Sequence, residues 1–171
     1  MTQIPLFQPP SEWTPPEQFP DLSDAKEIAV DLETYDPNIK DTGPGWAVGK
    51  GYIAGVAIAV EGWKGYFPIR HEGGGNFDER ILKKQVQRIM NLPCDKIFHN
   101  ASYDVGWLRW WGVEVKGKII DTLIAAPLID ENRFRYSLNE LGKDYLKETK
   151  SEALLYEAAK EGGVDAKDEL W

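Results

Sequence analysis

The chain has 171 residues, 28 acidic against 20 basic side chains (net −8), and an apolar share of 42%. That length fits one domain better than two, and the apolar share excludes a fully disordered chain. No apolar run reaches the roughly 18 residues of a membrane helix, and no basic stretch followed by an apolar one opens the N-terminus, so neither a membrane span nor a secretory leader is expected.

Six of the eleven prolines (Pro5, Pro9, Pro10, Pro15, Pro16, Pro20) fall within the first 22 residues. Each locks φ and removes an N–H donor, so residues 1–25 are read as an extended, Pro-rich arm, lying on the domain through Phe7, Trp13 and Phe19. Regular structure is expected from Lys26. Lys26–Glu33 is short, apolar and β-branched in its middle, the pattern of a buried strand. Thr34–Lys50 holds Pro37, Gly43, Pro44, Gly45 and Gly49 and reads as a long loop. Gly51–Val60 is a second strand, and Glu61-Gly62 turns it into a third, Trp63–Ile69. His71–Asn76 (HEGGGN) cannot be regular, because consecutive glycines carry too much backbone entropy.

Phe77–Met90 has apolar residues at 77, 81, 82, 86, 89 and 90, a helical stripe. Asp95–His99 is a fourth strand, Asn100–Trp111 a helix with Val105, Leu108 and Trp111 on one face, and Val115–Ile120 a fifth strand. Thereafter the pattern is helical: Asp121–Ile129 capped by Asp121, Ser137–Leu146 with Ser137 and Glu140 as a capping box, and Glu152–Lys160 preceded by Thr149 at the same spacing. Hairpin-linked strands followed by helix-linked ones imply an α/β fold with a mixed five-stranded sheet. The lone Cys94 cannot pair within the chain, which points to a reducing, cytoplasmic setting.

Two clusters carry chemistry. In Asp31-Leu32-Glu33-Thr34, strand alternation puts Asp31 and Glu33 on one face, at the end of an apolar run. Two such carboxylates repel one another and lose hydration, which a divalent cation would relieve; a strand simply running out into water is the competing reading. The second cluster, His99-Asn100-Ala101-Ser102-Tyr103-Asp104, sits where a strand becomes a helix, the place where α/β sheets build sites. Asp104 lies about one turn into that helix. Alone, it reads equally as a first-turn acid favoured by the helix dipole, with Asn100 a cap.

Together, Asp-x-Glu on a first strand and Asn-x-x-Tyr-Asp about 70 residues later resemble the DEDD superfamily of 3′–5′ exonucleases. Ile120-Asp121-Thr122, the following apolar helix, Ser137-Leu138-Asn139-Glu140-Leu141 and Tyr145-Leu146 are similar to the proofreading exonuclease domain of family A DNA polymerases, as are Phe67-Pro68-Ile69 and His71–Asn76. The resemblance implies an RNase H-like fold over residues 26–171. It implies two divalent ions, Mg2+ or Mn2+, roughly 4 Å apart. Asp31 would bridge them, Glu33 would hold the water-side ion and Asp104 the leaving-group side. Leu32, Thr34, Asn100 and Tyr103 would contact the terminal nucleotide of a single-stranded DNA 3′ end; for Tyr103 a core role is the competing reading. His99 reads as structural. Trp107, Trp110 and Trp111 could stack on bases or fill the core; that spacing requires some of them to be core.

The family's third motif, Tyr-x-x-x-Asp or His-x-x-x-x-Asp, is missing. Tyr136 is followed four later by Glu140, Tyr145 by Thr149 and Tyr156 by Lys160, and no histidine follows His99. The expectation is therefore an exonuclease domain with its C-terminal helices incomplete, part of a longer bacterial or virus-encoded protein, with a polymerase domain as a candidate partner and little hydrolysis by this chain alone. Alternatives are a 3′ exoribonuclease of the ribonuclease D type, a catalytically dead nucleic-acid-binding module, and an acidic domain whose acids are surface charge. The net −8 does not oppose nucleic acid: residues 37–139, which include Asp104, carry 14 bases against 11 acids.

Overall fold

The computed structural model describes residues 16–71 and 75–148. Five strands, β1 (Glu27–Tyr35), β2 (Tyr52–Val60), β3 (Trp63–Pro68), β4 (Asp95–Phe98) and β5 (Ile119–Asp121), form one sheet in the order β3-β2-β1-β4-β5. β1 pairs antiparallel with β2, and β2 with β3; β1–β4 and β4–β5 are parallel. The β2–β3 hairpin closes through the tight Glu61-Gly62 turn, β1 reaches β2 through the longer connection 36–51, and the parallel pairs need the crossovers that helices α3 (Glu79–Met90) and α4 (Ala101–Trp110) supply. The expected mixed sheet is thus present.

Alternation along β1 divides the sheet into two unlike faces. Ile28, Val30 and Leu32 point into the core, where they meet Val56, Ile58 and Phe67, with Leu82, Val86, Ile89 and Met90 of α3 and Val105, Trp107 and Leu108 of α4 closing the layer. Phe19 stacks on Phe67 with ring centroids 5.0 Å apart, so the arm does lie on the domain there. Phe7, Trp13 and the helix expected over Glu152–Lys160 fall outside the described residues. The opposite face carries small residues, among them Ala29, Ala57 and Ala59, and forms the floor of a cleft of ≈ 570 Å³ that Asp31, Tyr66 and His99 also line.

Several local expectations are corrected. The stretch 34–50 is not all loop: α1 (Ile39–Thr42) and α2 (Gly45–Val48) each make one turn, α2 starting where Asp36 Oδ2 accepts the Gly45 N–H at 2.9 Å. Ile81 is 55% exposed, because α3 begins only at Glu79, capped by Asp78, and its buried stripe starts at Leu82. β5 begins at Ile119, not Val115. Gly117 has φ +85° and packs on the Cys94 carbonyl, a turn that any side chain would obstruct. The buried Lys96 ammonium ties that turn down, donating to the carbonyls of Leu92, Cys94 and Lys116 at 2.7, 2.8 and 3.0 Å. Beyond α5 (Thr122–Ile129), Ser137 caps α6 (Leu138–Leu141), which runs into a π-helical turn, Gly142–Leu146, instead of one continuous helix.

Candidate active site

The site is built at the carboxyl ends of β1 and β4. Asp31 and Glu33 share the cleft face, while Leu32 between them is buried in the core, as alternation requires. A β-bulge lies immediately beyond: Glu33 pairs with Gly55 and Thr34 with Ile53, leaving Ala54 of β2 as the extra residue. Such a bulge bends the strand and re-aims its last side chains.

β4 pairs with β1 only as far as Ala29–Ile97, so the edge of β1 beyond Val30 has no strand beside it there. The first turn of α4 takes that place. Asp104, 4% exposed, accepts the Leu32 N–H at 3.1 Å across 72 residues of chain. Burial first, and then the Asp31 charge, push its carboxyl up to about 7, against the Leu32 N–H, which stabilises the anion. Asp31 and Asp104 are therefore brought within electrostatic reach of each other from separate elements.

A supporting network holds this corner. Asn100 enters α4 with φ 77° and makes no side-chain cap; Asp121 caps in its stead, accepting the N–H groups of Asn100 and Ala101 at 3.0 and 2.8 Å while also capping its own helix through Leu123 N–H. Asn100 is exposed, and its amide oxygen accepts from Ser102. Thr34 Oγ1 and Tyr103 Oη are 2.8 Å apart, and Tyr103 donates onward to Asp36 at 3.0 Å, so both side chains are engaged in the protein. His99 Nδ1 lies 2.9 Å from Thr122 Oγ1, a structural contact. Of the three tryptophans, Trp107 is fully buried, Trp111 donates to Glu79 at 3.0 Å, and Trp110 is 48% exposed.

The donor set suits a hard divalent cation: carboxylate oxygens, one of them desolvated and repelled by a second, a strain that a cation removes. The geometry is open. Among the described residues no three His, Cys, Asp or Glu side chains converge closely enough to hold a metal ion. Asp31 and Asp104 are coupled, and Glu33 stands one pleat further out. Sequence reasoning treated Asp121 as a cap for its own helix only, and it passed over Tyr66, which the next-but-one strand places beside Asp31 through the register Asp31–Ala57–Tyr66.

Comparison with known proteins identifies the family. The family model described as 3′–5′ exonuclease matches residues 14–162. A DNA-directed DNA polymerase of Pseudomonas phage M6 is 37% identical over 179 residues, covering 99% of this chain and 27% of that protein, so the chain spans about a quarter of its length. Among solved structures, Brucella melitensis NrnC with bound Mg2+ superposes with TM-score 0.54 at 21% identity, covering 78% of this chain and 60% of that one. Escherichia coli RNase D, described as an exoribonuclease involved in structured RNA processing, gives TM-score 0.54 at 16% identity over 77% of this chain and 31% of its own. At these identities the structural likeness is one of fold, the RNase H-like fold of such exonucleases. The matched family generally uses divalent metal ions.

Proposed function

The chain belongs to the 3′–5′ exonuclease family of DNA polymerase A, and from that premise we propose that Asp31, Glu33 and Asp104 are the metal-binding acids of a domain that removes nucleotides from the 3′ ends of DNA. The observation that carries this reading is the buried Asp104 carboxyl, held on the Leu32 N–H and forced up to about 7 beside Asp31. A fold does not leave an unrelieved acid there without cost; an incoming cation turns that cost into binding.

Two ions, Mg2+ or Mn2+, bound at these acids would supply an activated water and charge stabilisation for the leaving 3′ oxygen. The chain's own residues do the placing. Asp31, on the cleft face of β1 and coupled to Asp104, would be one ligand; Asp104 is fixed by a backbone bond, and Glu33 lies just before the bulge. The terminal nucleotide is assigned to the backbone at Leu32 and Thr34 and to the exposed amide of Asn100, with Tyr103 positioning Thr34 through their 2.8 Å contact. DNA is favoured over RNA as substrate by the family match and by the phage polymerase relative. A polymerase domain elsewhere in the same protein is the corresponding partner, and proofreading the corresponding task.

No Tyr-x-x-x-Asp or His-x-x-x-x-Asp lies after Asp104 in this sequence. Purified 1–171 is therefore expected to bind Mn2+ weakly and to trim a single-stranded DNA 3′ end slowly or not at all. Robust Mg2+-dependent trimming that Asp31→Ala abolishes would overturn the expectation of inactivity. Unchanged Mn2+ binding in Asp31→Asn would overturn the site assignment. Parallel single-stranded DNA and RNA substrates decide the nucleic acid.

A further inference from the structure

Tyr66, His71 and Asn76 have no role in the reading above. Register puts Asp31, Ala57 and Tyr66 in one row across three strands and Glu33, Gly55 and Pro68 in the next. Tyr66 leans out of its own row into the second: a Cβ on Gly55 would land on its hydroxyl and ring. Gly55 is the direct partner of Glu33, and opposed residues of an antiparallel pair send their side chains to the same face. The phenol thus occupies the space a side chain at 55 would fill, beside Glu33. Its other side is closed by His71, whose Nε2 is 2.6 Å from Tyr66 Oη, the rings meeting edge-on at 87°. His71 is clamped by Asn76, which accepts its N–H at 2.8 Å and donates to its carbonyl at 2.7 Å. Burial, and then the charges of Glu33 and Asp31, raise the phenol's pKa, so it keeps its proton.

We propose that Tyr66 and His71 are a positioning pair for Glu33: His71 donates its Nε2 proton to the Tyr66 oxygen, and the phenolic proton is thereby committed to the Glu33 carboxylate, holding it in the orientation in which it meets a divalent cation. The proton inventory supports this order. A carboxylate only accepts, a phenol carries one proton, and a neutral imidazole has one donor nitrogen, so within this trio the order imidazole to phenol to carboxylate uses every proton. Hydrogen bonds to a ligating carboxylate from groups that do not themselves touch the metal strongly tune metal affinity. The inference rests on the assignment of Glu33 as a metal-binding acid.

The test is Mn2+ binding to the full 171-residue chain, read by water-proton relaxation, with thermal melting recorded in parallel. Tyr66→Phe is expected to weaken Mn2+ binding about tenfold, the scale seen for outer-sphere partners of metal ligands. His71→Leu should do the same, and the double variant should bind no more weakly than Tyr66→Phe alone, because both act on one hydrogen-bonded unit. His71→Gln, which keeps a donor amide, should bind within about twofold of wild type. The His71 pair keeps the idea testable if Tyr66→Phe fails to fold. Wild-type affinity in folded Tyr66→Phe or His71→Leu, with only the melting temperature changed, would show a purely structural role and overturn the proposal. Mn2+ binding lost in Asp31→Asn but intact in Tyr66→Phe overturns this inference alone; no loss in Asp31→Asn overturns the underlying metal-site assignment.

Discussion

Replacing Asp104 by Asn should stabilise the metal-free protein, increasingly so as pH rises from 5 to 7. The side chain is 4% exposed, and its carboxyl is pushed from an ordinary 3.8 to about 7, chiefly by burial and next by Asp31. A gap of about three decades in proton affinity is worth about 4 kcal/mol at about 1.4 kcal/mol per decade. The folded-state value lies above the unfolded one, so the group's contribution is fully present below about pH 4 and is lost as pH rises through about 7. Asn keeps an oxygen for the Leu32 N–H and carries no charge to desolvate. Local relaxation and water entry return part of the cost, leaving an expected gain of about 2–3 kcal/mol at pH 8 in EDTA. The assay is urea denaturation of both proteins at pH 5, 6, 7 and 8. His71, whose pKa burial lowers, loses stability on the acid side as it protonates, but does so in both proteins and cancels in the difference. The gap should widen by about 2 kcal/mol from pH 5 to 7 and then level off. A gap independent of pH, or an Asn variant less stable at pH 8, would refute the view that Asp104 is an acid held at a cost.

Lys96→Met should lower stability by about 2–4 kcal/mol, because three carbonyls lose their common donor; a urea midpoint showing a loss below about 1 kcal/mol would contradict this. Tyr103→Phe should cost about 1 kcal/mol and speed hydrogen exchange at Gly45, since Asp36 loses one of the two donors that orient it; unchanged Gly45 protection would separate the two contacts. Trp107→Ala should cost about 3–5 kcal/mol and Trp110→Ala about 0.5 kcal/mol or less, following full burial of one and half exposure of the other. Comparable losses in the two melts would place Trp110 in the core.

Much of this was readable from residue order. The apolar run before Asp31 and the glycine–turn–aromatic rhythm of residues 51–69 have a strand's period, and Asp121 and Ser137 cap the helices that follow them. What escaped depends on contacts between distant segments. Val115 and Lys116 carry strand-like neighbours, yet the turn at Gly117 is dictated by the Cys94 carbonyl and the Lys96 ammonium, which no local pattern reveals. Ile81 completes a helical stripe in the sequence but falls outside the helix's buried arc once Asp78 sets its start. Tyr66 was ordinary strand composition until the register placed it over Gly55, opposite Glu33. Asp31, Glu33 and Asp104 could be singled out as candidates because they fall at motif spacing; the openness of their arrangement could not be read, because it depends on where β4 stops and where β2 bulges.

Those two irregularities set this sheet corner apart from an ordinary one. Asp31 and Asp104 are separated by 73 residues, the length needed for a hairpin, a crossover helix and a parallel strand to return the chain to the same end of β1. Had β4 continued beside β1, its backbone would have taken the Leu32 N–H, and Asp104 would have had no fixed seat. Had β2 carried no extra residue at Ala54, Thr34 would not have been placed opposite Ile53, the register in which its hydroxyl reaches Tyr103. The strand that stops early exposes a donor that fixes one acid, and the bulge aims the other. With Asp31 on the cleft face, the arrangement gathers negative charge at one end of a trough floored by alanines.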